Sequence, residues 1–271
     1  MSDVVIKGAV LGTPIKHSLS PLLHSTAYKF LGIEGQYSAI EVNSGGLSNF
    51  LDNFARDMDY LSLTMPLKEE ALNLDLDFDA EGLRVRSINT LVKNDDRWSA
   101  STTDGSGFAK ALSSAGYDKF EKVLILGAGG TARAIAGVVD SFTSDVDIMG
   151  RSQSRANSIA SCVNAANFNY LAWDDSLSIS PYDLVINTTP AGAADLFADS
   201  ISRVNDKLFF DVIYKPWPTV LGQRWSDLGG KVLNGLELLI YQGIDQLELV
   251  TSVPNRDALA SHLRTVLTSR K

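Results

Sequence analysis

The stretch Glu121–Arg151, EKVLILGAGGTARAIAGVVDSFTSDVDIMGR, constrains this chain more than any other. An apolar run, Val123–Leu126, meets a glycine turn, Gly127-Ala128-Gly129-Gly130. An apolar helical stretch follows, and then a second short apolar run that ends in Gly150-Arg151-Ser152. Strand, glycine loop, helix and strand in this order form the unit that holds a dinucleotide pyrophosphate. Gly127, Gly129 and Ala132 match G-x-G-x-x-G/A. The first glycine makes the tight turn, the second lets backbone N–H groups approach phosphate, and the small third residue allows helix and strand to touch. Gly127, Ala128, Gly129, Gly130, Thr131 and Ala132 are therefore the expected cofactor loop. The tip of the second strand decides which dinucleotide fits. A carboxylate there pairs with the ribose 2′-hydroxyl of NAD; here Gly150 takes that place and Arg151 follows. A carboxylate repels a 2′-phosphate, whereas a guanidinium forks onto it. Ser152 and Arg155 add donors beside it, so the expected cofactor is NADP(H) rather than NAD. The plainer readings are a glycine turn that binds nothing and a solvated arginine at a strand end.

The rest of the chain extends this pattern. Further strands are expected at Asn169–Ala172, Leu184–Asn187, Leu208–Val212 and Lys231–Leu233, with helical stretches at Arg155–Ala165 and Pro218–Leu228 between some of them. Such alternation predicts a parallel sheet with helices on both faces. The first hundred residues mix elements differently. Strands are expected at Val4–Leu11, Gln36–Val42 and Tyr60–Thr64, and helices at Ser20–Leu31, Gly46–Arg56 and from Lys68. In the first helix Ser20 reads as N-cap and Pro21 as first helical residue, with Gly32 ending it. Asn89–Lys93 and Trp98–Thr102 flank a polar turn and read as a hairpin. Thr103-Asp104-Gly105 reads as a boundary, followed by a helix over Gly107–Ala115. Two tail helices, Glu237–Leu249 and Asn255–Ser269, are expected to return to the first domain. The fold class is thus α/β with two domains: residues 1–104 plus 239–271 as a substrate-binding α/β domain, and residues 105–238 as a Rossmann-type NADP-binding domain.

Bulk numbers exclude several classes. The formal charge of −8 argues against nucleic acid or an anionic membrane surface as partner. No 18-residue apolar run is present and the N-terminus lacks the pattern of a signal peptide, so a cytoplasmic location is expected. Cys162 is the only cysteine, which precludes an internal disulfide. His17, His24 and His262 show no metal-ligand spacing, so no metal is expected. Gly105-Ser106-Gly107 lacks the spacing of a hydrolase nucleophile elbow.

Several short motifs converge. They are GTPIKHSLSP (Gly12–Pro21), LTMPLK (Leu63–Lys68), SINTL (Ser87–Leu91), TDG (Thr103–Gly105), the GAGGTARA loop, Gly150-Arg151-Ser152, NTT (Asn187–Thr189), DVIYKP (Asp211–Pro216), Asn234-Gly235 and Gln242. In this order and spacing the chain resembles the shikimate dehydrogenase family along nearly its whole length. The resemblance implies reversible NADPH-linked reduction of 3-dehydroshikimate to shikimate, in aromatic amino-acid (chorismate) biosynthesis, by a monomer or homodimer. It makes Lys68 and Asp104 the catalytic pair and places Ser18 and Ser20 on the substrate carboxylate with Tyr214 nearby. Thr64, Asn89 and Gln242, together with Asp104, surround the ring hydroxyls. The glycine loop, Arg151, Ser152 and Arg155 hold NADP, and Thr188, Val212 and Gly235 line the path from adenosine to nicotinamide.

These residue types suit the chemistry. A small ring acid bearing three hydroxyls needs many hydrogen-bonding groups and little apolar surface. A site of Ser, Thr, Asn, Asp and Gln rejects analogues that lack a hydroxyl, because its own buried groups would then be left unpaired. Reduction of a ketone leaves an oxygen that gains negative charge and needs a proton, which a nearby lysine ammonium can donate. Plainer readings remain beside these: Lys68 as a solvated lysine, Asp104 as a turn or helix-cap residue, Ser18 and Ser20 as turn and cap residues. His17, His24, Trp173 and Trp217 read as structural, core or rim residues. The chain departs from the family pattern at Ser62 and Thr102, where asparagine is usual, at Gly150-Arg151-Ser152 in place of Asn-Arg-Thr, and at Val212 in place of methionine. Two alternatives stay open: an NAD-preferring quinate/shikimate dehydrogenase, opposed by Arg151 and by Ser20 where threonine is frequent, and a non-catalytic NADP-binding paralogue, opposed by Lys68 and Asp104.

Overall fold

The computed structural model describes residues 5–269 and divides into two compact units. One comprises the chain up to Gly107 together with the chain from Leu239; the other is Phe108–Leu238. Val4 of the first expected strand, the remaining residues before it and residues 270–271 lie outside the described residues.

The first unit starts with β1 (Ile6–Gly12), α1 (Ser20–Leu31), β2 (Gly35–Glu41), α2 (Leu47–Asn53), β3 (Tyr60–Leu63) and α3 (Leu67–Glu70). It continues with β4 (Asp77–Phe78), α4 (Ala80–Val85), β5 (Thr90–Asn94) and β6 (Arg97–Ser101). Its sheet runs β2-β1-β3-β5-β6-β4. β1 is parallel to β2 and β3, while β5 is antiparallel to β3 and β6. Consequently the C-terminal ends of β1, β3 and β6 and the N-terminal start of β5 share one end of the sheet. The register confirms it, with Ser62 opposite Thr90 and Thr90 opposite Ser101. A core of Ala9, Leu11, Leu47, Leu61, Leu63, Leu67, Ile88 and Leu91 packs on one face. Residues Asp77–Phe78 and Ala80–Val85, for which no element was expected, form β4 and α4, the latter capped by the Asp79 carboxylate accepting from Gly82 N at 2.6 Å.

α1 departs from expectation at its start. Leu19 holds the cap position, no side chain caps the helix, and the Ser18 hydroxyl accepts from Ser20 N at 3.3 Å. Ser20 is therefore the first helical residue rather than the N-cap. Gly32 does end the helix, in the left-handed conformation that glycine tolerates.

After α5 (Asp104–Ser114), the second unit reads β7 (Val123–Leu126), α6 (Gly130–Ala136), β8 (Asp145–Gly150), α7 (Ala156–Ala160), β9 (Asn167–Ala172), β10 (Leu184–Asn187), α8 (Phe197–Ser200), β11 (Leu208–Asp211), α9 (Val220–Asp227) and β12 (Lys231–Leu233). The sheet order is β12-β11-β10-β7-β8-β9, with every pairing parallel. Counted within the unit this is the 3-2-1-4-5-6 order of a Rossmann-type fold, in which the strand sequence reverses between β7 and β10. β7, β10 and β11 are buried at every residue, as expected of strands covered on both faces. The helix expected over Arg155–Ala165 stops at Ala160. The Asp140 carboxylate draws the backbone N–H groups of Asn164, Ala165 and Ala166 at 2.6–3.0 Å, which turns the chain out of helix.

α10 (Gly235–Glu248) carries the chain back, and its residues from Leu239 belong to the first unit together with α11 (Arg256–Thr268). α11 is capped by Asn255, whose side chain accepts from Ala258 N at 3.0 Å, and packs on α1. Among the described residues no helix is long and apolar enough to cross a membrane.

Candidate active site and dinucleotide loop

The shared end of the first sheet gathers most of the expected substrate-site residues. Ser18 lies in the loop after β1, and Thr64 in the loop after β3. Those loops are tied together by Thr13 N donating to Met65 O at 3.0 Å and Thr64 N donating to Leu11 O at 2.9 Å. Lys68 sits on α3, one turn beyond Thr64. Asn89 immediately precedes β5, and Asp104 opens α5, whose first intrahelical bond runs from Gly107 N to Thr103 O at 2.9 Å. Gln242 arrives from α10. A Cβ on Gly107 would stand 2.5 Å from Gln242 N, so glycine at this position is what lets α5 and α10 approach closely enough.

Lys68 Nζ forms an ion pair with Asp104 Oδ2, the side chains being 16% and 6% exposed. Such a pair is shielded enough for its charges to matter and open enough on the lysine side to meet a ligand. The other carboxylate oxygen, Oδ1, accepts from Asn89 Nδ2 at 2.7 Å. Asn89 Nδ2 also reaches Thr103 Oγ1 at 3.0 Å and Gln242 Oε1 at 3.4 Å. Asn89 Oδ1 accepts from Thr90 Oγ1 and from Thr103 N, both at 2.8 Å. Lys68, Asp104, Asn89 and Gln242 are thus in one hydrogen-bonded cluster.

The cluster continues inward through residues that sequence reasoning did not select. Gln246 Nε2 donates to Thr90 Oγ1 at 2.9 Å and to Asn89 O at 3.2 Å, while its Oε1 accepts from Ser62 Oγ at 2.7 Å. Ser62 in turn accepts from the Tyr37 hydroxyl at 2.5 Å. All of these side chains are buried. A buried polar chain of this kind holds only because each member is paired; satisfied, it locks one arrangement. The available signal was the spacing of Gln246 from Gln242, four residues along α10 and so on the same face. Ser62, read in the sequence as a departure at the site, is a link in this chain.

His24 stacks on Tyr37 with ring centroids 4.0 Å apart and shares a 2.7 Å hydrogen bond with the Tyr60 hydroxyl. Burial lowers its pKa to about 3, so the ring is neutral and structural. Burial likewise pushes Tyr28 up to about 12 and raises Tyr37 and Tyr60, keeping all three phenols protonated. His17 is exposed. Trp173 packs edge-on against Phe197 beside the core of the second unit, whereas Trp217 is part-exposed.

The second unit carries the residues expected at the dinucleotide and Tyr214, which lies in the loop after β11. Gly127 has φ +109°, and a Cβ there would meet Thr188 Oγ1 at 2.4 Å, so both backbone geometry and space require glycine. Thr188 Oγ1 donates to Leu126 O at 2.7 Å, joining the ends of β7 and β10 where the strand order reverses. Nothing lies within 4 Å of a Cβ built on Gly129, which leaves the loop backbone open to a large anion. Ala132 is fully buried against the sheet. Gly150 ends β8 and Arg151 and Ser152 follow it, both exposed, with Arg155 Nη1 donating to Ala128 O at 3.2 Å. Val212 N donates to Asn187 O at 3.0 Å and Gly235 N to Ile213 O at 3.3 Å, so both lie at the same strand ends as Thr188. Asp211 beneath them is fully buried; burial raises its pKa against bonds from Thr219, Ile213 and Asn187. Open loop backbone beside a guanidinium-bearing turn fits a 2′-phosphorylated dinucleotide. Among the described residues no group of three or more metal-ligating side chains is assembled.

Residues 10–91 match the shikimate dehydrogenase substrate binding domain, and residues 110–214 match the shikimate / quinate 5-dehydrogenase family. A relative from Methanococcoides burtonii, named shikimate dehydrogenase (NADP(+)), is 35% identical over 90% of this chain and 91% of its own length. The chain belongs to the shikimate dehydrogenase family. Among solved structures, a shikimate dehydrogenase from Mycobacterium tuberculosis superposes with a TM-score of 0.85 at 31% identity, covering 96% of this chain and 99% of that one. A Thermus thermophilus shikimate 5-dehydrogenase in complex with NADP(H) and shikimate gives 0.81 at 29% identity, covering 96% and 99%. Within a shikimate dehydrogenase of this kind, the two matched segments fall on the two units, one in each.

Proposed function

We propose that this chain is an NADP-dependent shikimate dehydrogenase, catalysing reversible reduction of 3-dehydroshikimate to shikimate in the cytosolic route to chorismate and the aromatic amino acids. The observation that carries this reading is the Lys68–Asp104 ion pair, held through Asn89 beside Gln242 in a member of that family. Residues 1–104 with 239–271 take the ring acid, and residues 105–238 take the dinucleotide. The relatives named as NADP(+)-dependent and the Thermus enzyme bound to NADP(H) and shikimate support the same assignment.

NADPH supplies the hydride to the ketone carbon when bound. The chain's own groups then act on the oxygen. Lys68 Nζ donates a proton to the oxygen as negative charge develops there, giving the alcohol; in the oxidative direction the neutral amine takes that proton back. Asp104 orients the ammonium and accepts a hydrogen bond from a neighbouring hydroxyl of the ring. Asn89, Gln242 and Thr64 complete the set of ring-hydroxyl partners, and Ser18 and Ser20 donate to the carboxylate with Tyr214. The loop Gly127–Ala132 receives the pyrophosphate, Arg151, Ser152 and Arg155 the 2′-phosphate, and Thr188, Val212 and Gly235 flank the nucleotide.

The test is initial-rate reduction of NADP+ and of NAD+ with shikimate, and then with quinate, in one buffer. Shikimate with NADP+ is the expected preferred pair. Strong preference for NAD+ would overturn the cofactor assignment, and absence of turnover with either acid would overturn the enzyme assignment.

A further inference from the structure

The turn that carries Arg151 is exposed, so something must hold it if it is to select between dinucleotides. The structure points to Tyr170. This residue lies on β9, the edge strand beside β8, opposite Ile148 in the register and two residues before the partner of Gly150. Its hydroxyl donates to Ser152 O at 2.7 Å, a bond from the edge strand to the turn. Its ring occupies the space above Gly150. A Cβ built on Gly150 would stand 2.2 Å from the Tyr170 hydroxyl oxygen, 3.0 Å from its Cζ and 3.2 Å from Ala128 Cβ. Glycine at 150 and tyrosine at 170 are therefore complementary: any side chain at 150 would compete with the phenol for the same volume. The phenol so placed is bonded to the turn, and the space over Gly150 that it fills also borders Ala128 of the glycine loop. Arg155 approaches from that loop as well, through its bond to Ala128 O. Ser152 and Ser154 hydroxyls, 2.7 Å apart, close the turn. Burial raises the phenol's pKa despite the nearby Arg155 charge, so it remains a donor at neutral pH.

We propose that Tyr170 is a positioning residue for the 2′-phosphate site, holding Ser152 and with it Arg151 in the orientation that favours phosphorylated over unphosphorylated dinucleotide. Mechanistically, the bond to Ser152 O removes the freedom of a surface turn, so fewer orientations of Arg151 are lost when an anion binds. The proposal rests on the assignment of Arg151 to the 2′-phosphate and adds what makes that contact selective.

The experiment is fluorescence titration of NADPH and NADH on the full chain and on Tyr170→Phe, Gly150→Ala and Arg151→Ala, with thermal melts alongside. Arg151→Ala is expected to weaken NADPH roughly 10- to 100-fold, as loss of a charge-assisted bond does. Tyr170→Phe is expected to lower the NADPH-to-NADH affinity ratio roughly 5- to 10-fold, the size of one lost hydrogen bond. Gly150→Ala should displace the phenol and lower the ratio similarly, and the two changes combined should do no more than either alone. A wild-type ratio in Tyr170→Phe, with Arg151→Ala impaired, overturns the role of Tyr170 and leaves the phosphate assignment standing. An equal loss of NADPH and NADH affinity in Tyr170→Phe also overturns it, since a merely structural residue would act that way. An unchanged ratio in Arg151→Ala overturns the phosphate assignment itself.

Discussion

The two units hold their functional groups by opposite means. In the first, positions are set by side chains paired with side chains: Lys68 on Asp104, Asp104 on Asn89, then inward through Thr90, Gln246 and Ser62 to Tyr37. In the second, positions are set by backbone and by missing side chains, as at Gly127 under Thr188 and Gly150 under Tyr170. The difference follows from what each is proposed to receive. A proton donor has to sit at one point relative to a small, hydroxyl-rich ring, and a satisfied buried network supplies that fixity. A pyrophosphate is large, charged and met by backbone N–H groups, so the loop must above all leave room.

This contrast can be broken from either side. The largest effect is expected at Lys68: Lys68→Ala should lower kcat by roughly 10²–10⁴-fold, the usual worth of a placed acid–base group, while equilibrium binding of shikimate survives within severalfold. Near-normal turnover in that variant would remove lysine as the proton donor. In the second unit, Gly127→Ala should cost about 1–3 kcal/mol in urea unfolding from its positive-φ backbone and weaken NADPH. Shikimate affinity should be spared; wild-type stability would show that the turn tolerates a Cβ. A third test concerns pH and leaves turnover aside. His24 is held neutral with its pKa lowered to about 3, so between 6.5 and that value the unfolded chain carries one more proton than the folded one. Stability from this group is complete above pH 6.5 and is lost as pH falls through the window, at most about 1.4 kcal/mol per pH unit. NMR of the His24 ring should report the neutral form at pH 5; a midpoint near 6.5 would contradict its burial as the controlling influence.

How much of this was legible from the residues depends on the range of the interaction. Continuous apolar runs declared themselves as buried parallel strands at Val123–Leu126 and Leu184–Asn187, and these and the edge strand Lys231–Leu233 have the bounds that the pattern implies. Local signals also sufficed for the Gly32 helix end and for the hairpin around Asp95-Asp96. What failed was set by partners distant in sequence or by local competition. The Asp140 carboxylate fixes the backbone of Asn164, Ala165 and Ala166, more than twenty residues away, just past the end of α7, which no local propensity encodes. Ser20 was read as a cap because serine prefers that role, yet Leu23 N donates to Leu19 O at 2.9 Å, which makes Leu19 the cap and starts the helix one residue earlier. At the site, motifs marked Lys68, Asp104, Asn89 and Gln242, but Gln246 and Tyr37 carry no motif. Gln246 joins because α10 meets β3 and β5, a contact made across more than 150 residues of chain, and Tyr37 because β2 brings its hydroxyl to Ser62.

The most direct measurement of whether the buried chain of hydrogen bonds and the proposed catalytic pair, Lys68 and Asp104, act as one device is a double-mutant cycle on kcat. It uses Gln246→Leu, Asp104→Asn and the combined variant, with urea unfolding as a control for stability. Each single change should slow turnover, and the double should fall short of their sum by about 1 kcal/mol or more, because losing either member already frees the other's contribution. Additivity to within about 0.5 kcal/mol would mean that Gln246 and Asp104 act independently, contrary to this account.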